Sequence, residues 1–585
     1  MKNLLSLWPY FRKNHYKILF MTIAGLFCLL IVDGLQLIIP LIIKTAVDEM
    51  TQLSATFSSL LRFGLTIVGI GFLIAIFRFG WRLFLIGGSY RIEEALRNHL
   101  FSHLIHLGPN FYQKIKVGDI MARAVNDIGS VRLATSLGLI ALADSIVMGT
   151  ATIFLLFHID KRLAIISLLP FSFLLLFTNQ FSKAIHKKFR EVQETFSILS
   201  ERVRESFAGI RVVKSFIIEK ERKKKTEKIS INYMKQNIKL MQLWGLFFPL
   251  TMFFTNLGLG IVLLWGGKST ILGEITAGDF VAFMNYLIML TWPMLAIGWV
   301  INLLQRGAAS IRRINQILKE PPEIVDYPKI KKIEKIKGKV EIKDLNFSYQ
   351  KDGPLVLKNI SISINLGSLI GITGKIGSGK TTLCHLIPRW FEPPYNAIFI
   401  DDTEIHYIPL RVLRSHIGYV PQEIFLFSET IRENIKFGKP SASDEEMIIA
   451  SKISSIYDEI KEFPDGFDTL VGEKGVTLST GQRQRIAIAR AILLNPTILI
   501  LDDALSSVDI KTEKKIISEL IKIRRGKTTT IIVSYRISSI MDADCIYVMD
   551  EGKIIEEGKH DKLIQNDGLY KRLFITQELE KDVMI

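Results

Sequence analysis

Gly374-Lys375-Ile376-Gly377-Ser378-Gly379-Lys380-Thr381, running on into Thr382, is the stretch on which the reading of this 585-residue chain turns. It follows an apolar, strand-like run, Ser368-Leu-Ile-Gly-Ile-Thr373, and opens a helical one, Thr382-Leu-Cys-His-Leu-Ile387. A glycine-rich loop in that setting turns backbone N–H groups inward and makes a phosphate cradle. Lys380 brings positive charge to the β/γ oxygens, and the Thr381 hydroxyl can ligate Mg²⁺.

Working outward, a second apolar strand, Thr497-Ile-Leu-Ile-Leu501, ends in Asp502-Asp503. A carboxylate at that edge is a second Mg²⁺ anchor, a role that falls to Asp502. Between the two lies Leu478-Ser479-Thr480-Gly481-Gln482, a polar turn opening a helix and offering N–H groups and a positive dipole to an anion. From Gly338 onward short β-branched runs alternate with helical patterns, as in an α/β domain. We take residues 338–585 as that domain and 319–337, with Glu320-Pro-Pro-Glu323 and the basic run from Lys329 to Lys337, as a linker.

Residues 1–318 read in another solvent. Apolar stretches fall near 18–43, 59–88, 134–157, 163–182, 242–266 and 280–304, each long enough to cross about 30 Å of hydrocarbon as a helix. Arg12 and Lys13 precede the first, which is too long for a signal-peptide core. Links after the second and fourth stretches are long and polar. Residues 183–240 hold sixteen Lys/Arg against seven Asp/Glu, which places these links and both termini on the cytoplasmic side. Helical periodicity persists through Arg91–Leu107 and Ala184–Lys239, so spans two to five are expected to continue beyond the bilayer. Breaks are expected near Gly108-Pro109-Asn110 and Ala208-Gly209.

The chain is 49% hydrophobic yet carries a formal charge of +17. Because the basic residues crowd the polar links, this balance describes a membrane protein and argues against a nucleic-acid partner. Lys223-Lys-Lys225, interleaved with Glu219, Glu221 and Glu227, reads as a solvated helix face. Cys28, Cys384 and Cys545 form neither a metal-ligand spacing nor a disulfide framework. Asp33 and Asp144, inside apolar spans, are expected to form an interhelical hydrogen bond, with a substrate or proton role as the alternative. Most of Trp244, Phe247, Phe248, Phe253, Phe254 and Trp292 are expected to face lipid or anchor an interface rather than line a pocket.

Taken together, these motifs resemble the ABC transporter family over essentially the full chain. The resemblance implies that Tyr349 stacks on adenine and that Gln422, in Tyr419-Val-Pro-Gln-Glu423, is the Q-loop residue beside Mg²⁺ and the reacting phosphate. Leu478–Gln482 is similar to the signature turn with Thr480 for its first glycine, and Ser506-Ser-Val-Asp509 to the D-loop. Val471-Gly-Glu-Lys-Gly475 resembles the loop that contacts the membrane domain. Leu35–Pro40 with Ala46-Val-Asp48 resembles the end of the first exporter span. Phe111–Asp119 and Glu205–Lys214 resemble the two coupling-helix regions. The architecture is similar to type IV exporters: a six-span helical membrane domain with long cytoplasmic extensions, then a P-loop ABC ATPase domain. That implies ATP and Mg²⁺ as cofactors, a multi-pass place in the cytoplasmic membrane among its lipids, a small amphiphilic substrate, and a second half-transporter as partner. Each ATP would lie between one chain's P-loop and the other's signature turn. The fold alone does not settle transport direction.

Two positions depart from the active pattern. Asp503 stands where the family carries the catalytic Glu, and Tyr535, in Ser534-Tyr535-Arg536, where it carries the switch His. The carboxylate is one methylene short, about 1.5 Å, and a 1 Å misplacement costs on the order of 10²-fold in rate. Tyrosine donates a hydrogen bond but cannot titrate as an imidazole does. This pattern resembles the degenerate-site subunit of heterodimeric bacterial ABC multidrug exporters, in which hydrolysis falls mainly to the other site. Rival readings are a homodimeric lipid flippase and an ATP-gated channel or regulatory membrane protein.

Overall fold

The computed structural model describes residues 16–327, 331, 333–350, 353–472, 475, 478–524 and 527–583; within these, the side chains at 175, 178, 179, 182, 248, 297, 523, 524 and 580–583 are left aside. Arg12, Lys13, Lys329, Glu473, Lys474 and the Phe248 side chain therefore lie outside the described residues. The chain divides into two compact units. One comprises residues up to Ile105 with Val117–Glu320, the other His106–Lys116 with residues from Pro321 on.

The first unit is all helix. Five of its helices are long and apolar enough to cross a membrane: α1 (Tyr16–Thr51), α2 (Phe57–Leu104), α3 (Val117–Ile159), α5 (Glu219–Ile271) and α6 (Ala277–Leu318). The remaining expected span, 163–182, lies on α4 (Lys161–Ala208), a 48-residue helix whose first turn is capped by the Asp160 carboxylate accepting from the Leu163 N–H at 2.6 Å. Helices α4 and α5, 48 and 53 residues long, far exceed what about 20 residues of bilayer crossing require. The breaks fall where expected. Gly108 precedes the short helix Pro109–Lys114, and Gly209 ends α4 before the short helix Ile210–Ser215. Lys225 pairs with Glu221 at 2.5 Å on an exposed face, so the lysine run is a solvated one.

Polar ties hold these helices in register. Asp127 on α3 accepts from the Arg313 Nε at 2.8 Å and the Ser310 hydroxyl at 2.9 Å, both on α6. Arg123 donates to the Arg313 carbonyl at 3.1 Å. Asp127 is buried, so it is the paired guanidinium and hydroxyl that keep its charge tolerable there.

The second unit carries two sheets. An antiparallel one runs β2-β1-β4-β5, built from β1 (Val340–Phe347), β2 (Leu357–Ile364), β4 (Ile398–Ile400) and β5 (Thr403–Glu404). The other runs β10-β9-β3-β8-β7-β6, from β3 (Leu369–Gly374), β6 (Ile417–Val420), β7 (Ile498–Asp502), β8 (Thr529–Val533), β9 (Cys545–Asp550) and β10 (Lys553–Gly558). Only the β9–β10 pair in it is antiparallel. Strands β7 and β8 are buried at every residue, which is why they read as unbroken apolar runs. Neighbouring parallel strands β3, β8 and β7 bring the P-loop, the Asp502-Asp503 pair and Tyr535 to the carboxyl edge of one sheet.

Candidate active site

The phosphate loop leaves β3 and enters α7 (Lys380–Leu386). Gly379 caps that helix at φ 98°, a left-handed conformation that a side chain would strain, and this is what aims the following N–H groups into the loop. The Lys380 ammonium donates to the Gly374 carbonyl at 2.9 Å and the Lys375 carbonyl at 2.7 Å, which holds it across the loop mouth. Burial draws its pKa down, opposed by the charges of Asp503 and Asp502. A cleft of about 580 Å³ opens there, lined by residues 376–382 together with Gln422, Asp502, Asp503, Tyr535 and Arg536.

Asp502, 1% exposed, accepts from the Thr381 hydroxyl at 3.1 Å through Oδ1 and from the Tyr419 hydroxyl at 3.0 Å through Oδ2. A buried carboxylate and a hydroxyl side by side are hard oxygen donors suited to Mg²⁺, so Thr381 and Asp502 fit as its protein ligands. Bound there, the ion would neutralise phosphate charge. Gln422 reaches Asp503 rather than Asp502, with Nε2 3.4 Å from Oδ2.

Asp503, at φ 50°, turns the chain off β7 while its N–H donates to the Val533 carbonyl at 2.9 Å. Burial and the neighbouring Asp502 raise its pKa; Gln422, the Tyr535 backbone N–H and Lys380 oppose that rise. Tyr535 thus touches Asp503 through its backbone, while its side chain remains 46% exposed. Tyr349 sits beside the cleft but is absent from its lining. Its hydroxyl shares a 2.9 Å hydrogen bond with Thr382, and its ring packs edge-on against Phe347 and Phe391. Stacking on adenine would require this ring to turn outward.

Two family models match the chain: the ABC transporter transmembrane region over residues 22–294 and the ABC transporter domain over 357–506. A probable multidrug resistance ABC transporter ATP-binding/permease protein of Bacillus subtilis, YheI, is 38% identical, with 94% of each chain covered. The chain belongs to the ABC transporter family. An Escherichia coli multidrug resistance-like ATP-binding protein, MdlA, is 35% identical over 98% of this chain and 96% of its own. An ATP-dependent lipid A-core flippase of Syntrophus aciditrophicus is 34% identical over 84% and 82%. Among solved structures, a bacterial Atm1-family ABC exporter with ATP bound superposes with a TM-score of 0.79 at 26% identity, covering 96% of this chain and 99% of that one. This ABC transporter is a multi-pass membrane protein and a transport ATPase of exporter type, and its ATPase domain binds ATP.

The transporter's signature turn lies apart from its own cleft, at the start of α8 (Thr480–Leu493). Ser479 caps that helix: its hydroxyl accepts from the Gln482 N–H at 3.2 Å, and its own N–H donates to the Gln482 side chain at 2.9 Å. A Cβ on Gly481 would stand 2.9 Å from the Ser507 carbonyl, so the D-loop requires glycine there. Thr480, the departure from glycine, accepts from Arg483 at 3.0 Å.

Sequence reading missed the groups that brace these motifs. Glu459 accepts from the Gln482 amide at 2.9 Å and pairs with Arg485. Gln484 bonds Ser506 and the Ser507 N–H, and Arg536 donates to the Ser506 and Val508 carbonyls, tying signature helix, D-loop and switch together. Gln577, on α10 (Leu569–Val583, with α9 taken as Ile510–Arg524), accepts from the Ile537 N–H and donates to the Tyr535 carbonyl at 2.8 Å.

Lys380→Ala removes the only ammonium lining this cleft among the described residues. ATP affinity at this chain's site is expected to fall by about 10²-fold, the scale for truncating a desolvated, charge-paired contact. Nucleotide titration of the purified complex checks this, and unaltered affinity for two nucleotides would contradict the cradle assignment.

Proposed function

We propose that this chain is one half of a heterodimeric ABC exporter that moves amphiphilic or hydrophobic compounds such as drugs, lipids or peptides out across the cytoplasmic membrane. In this reading its ATPase domain and both termini are cytoplasmic. The observation that carries the heterodimer is the pairing of Asp503 and Tyr535 in one cleft whose phosphate loop and Mg²⁺ ligands are intact. Asp503 is held by Gln422 and the Tyr535 backbone, a carbon short of where a glutamate carboxylate would reach. Tyr535 offers a hydroxyl where an imidazole would stand. Such a cleft holds ATP and turns it over slowly. The capped signature turn, with Ser479, Gly481 and Gln482, serves the partner's P-loop, where hydrolysis mainly takes place. Closing of the two ATPase domains on ATP would move the coupling segments near Phe111–Asp119 and Glu205–Lys214 and shift the membrane cavity from inward to outward access.

ATPase assays of this chain alone and with its genomic neighbour test the reading. The expected result is low turnover alone and at least about tenfold more with a partner carrying Glu and His at the two positions. Full activity of the isolated chain would instead favour a homodimer. ATP-driven accumulation of an amphiphilic dye in inverted vesicles separates a pump from a channel.

The first span is expected to line the translocation path. Gln36, half-buried and less than one turn from Asp33, supplies the test. Gln36→Cys should react with a water-soluble thiol reagent in the nucleotide-free complex, above the background of Cys28, Cys384 and Cys545. Inertness with and without ATP would place that face against lipid or packed protein.

A further inference from the structure

Tyr419 does not line the nucleotide cleft, yet its hydroxyl ends on a group that does. Along β7, Ile500 and Asp502 point to the same face of the sheet, and parallel pairing sets Tyr419 of β6 beside Ile500. Tyr419 and Asp502 are therefore diagonal neighbours on one face, a separation that a long aromatic side chain spans. Helix α7 covers this face. Its Leu383, Cys384 and Leu386 share a buried cluster with Ile500, and Tyr419 packs against that cluster. Three elements thus bring three side chains together: Thr381 from α7, Asp502 from β7 and Tyr419 from β6.

The two hydroxyls divide the carboxylate between them. Thr381 donates to Oδ1 at 3.1 Å and Tyr419 to Oδ2 at 3.0 Å. A carboxylate turns easily about its terminal torsion, and holding both oxygens stops that rotation. Thr381 fits as an ion ligand itself, so its hold on Asp502 shifts with the ion. Tyr419 is the tie that stays. Its ring is fixed in turn, with the Trp390 ring centre 4.5 Å away and that of His385 6.0 Å away. With Asp502 only 1% exposed, bulk solvent does not reach it to replace a lost donor.

We propose that Tyr419 is a positioning residue of the metal site, its hydroxyl orienting Asp502 so that Oδ1 is presented, together with Thr381, to the Mg²⁺ that accompanies ATP. Tyr419 touches neither nucleotide nor ion and acts through the carboxylate alone. Because all three residues belong to one chain, the role is the same whether the second half of the transporter is a copy of this chain or a different one.

Equilibrium binding of adenylyl imidodiphosphate, a non-hydrolysable ATP analogue, to the purified complex tests this, measured with saturating Mg²⁺ and again in EDTA. Where the second half is a different chain, alanine at its P-loop lysine leaves only this chain's cleft to load. The wild type is expected to bind more tightly with Mg²⁺. Tyr419→Phe should lose about 10- to 100-fold of affinity in Mg²⁺, the scale for removing a group that orients a metal ligand, and none in EDTA. Asp502→Asn should lose at least as much of the Mg²⁺ increment. Adding Tyr419→Phe to it should cost nothing further, since the tyrosine works through that carboxylate. If Tyr419→Phe does not assemble, Tyr419→Met, which also lacks the hydroxyl and fills space flexibly, decides in its place. Equal losses in Mg²⁺ and EDTA would make Tyr419 a support of the fold alone and overturn the role. So would an unchanged affinity in Mg²⁺, or losses that add in the double variant. A wild-type site indifferent to Mg²⁺ would overturn it as well, because Asp502 would then hold no ion.

Discussion

Ser479→Ala is expected to lower the ATPase rate of the assembled transporter by about 10²-fold or more, while Asp503→Ala lowers it by less than about threefold. The order runs against position, since Asp503 lines this chain's own cleft and Ser479 does not. In the proposed dimer Ser479 faces the partner's ATP, where a lost donor falls on the competent site. It also caps α8 by reciprocal bonds with Gln482, so the alanine loosens the helix N-terminus that presents the turn. In the proposed reading Asp503 stands short of the position a catalytic carboxylate needs, so little rate remains there to lose. Steady-state ATP hydrolysis by the two purified variant complexes decides the matter. Abolition by Asp503→Ala with Ser479→Ala tolerated would assign the working site to this chain.

The ATPase half was legible in sequence wherever its chemistry is local. The phosphate loop, the strand ending at Asp502 and the turn at Ser479 each announce themselves within about ten residues, because strand, loop and helix N-terminus must follow one another to aim N–H groups at an anion. The braces were not legible, for the opposite reason. Glu459 reaches Gln482 across 23 residues, and Gln577 reaches the Tyr535 carbonyl across 42, and neither pairing leaves a pattern along the chain. Tyr419 stands inside the quoted Q-loop segment, yet only the β6–β7 register turns its hydroxyl onto Asp502. Tyr349 was found by motif, and its inward hydrogen bond to Thr382 was not.

In the membrane half, hydropathy located the spans and periodicity their extensions, because bilayer thickness and helix rise leave few alternatives. Side-chain direction was another matter. Trp244, Phe247 and Trp292, expected among lipid-facing or interfacial aromatics, converge on one cavity. A helix that is apolar all round carries no stripe to tell its lipid face from its inner one. Asp33 lies buried on α1, 1% exposed, as a carboxyl turned away from lipid should.

Restoring the missing groups is expected to have the largest effect in the opposite direction. With the partner's catalytic carboxylate removed, the complex retains only this chain's site and should be almost silent. Adding Asp503→Glu and Tyr535→His to that background should raise its ATPase rate by about 10²-fold, the scale for returning a carboxylate displaced by about 1 Å to its working position. The local structure should accept both changes. Asp503 lines an open cleft of about 580 Å³, so one further methylene has room to extend. The Tyr535 side chain is 46% exposed, and its backbone contacts to Asp503 and Gln577 do not depend on the ring. The switch loop also stays anchored by Arg536 on Ser506 and Val508. Each single change should recover only part of the rate, because the carboxylate positions water while the imidazole stabilises charge at the phosphate, and the two act together. Single-turnover hydrolysis in the partner-silenced background separates the outcomes. A double variant as slow as its parent would mean that Asp503 and Tyr535 are not what limits this site, and the degenerate-site reading would fall with that result.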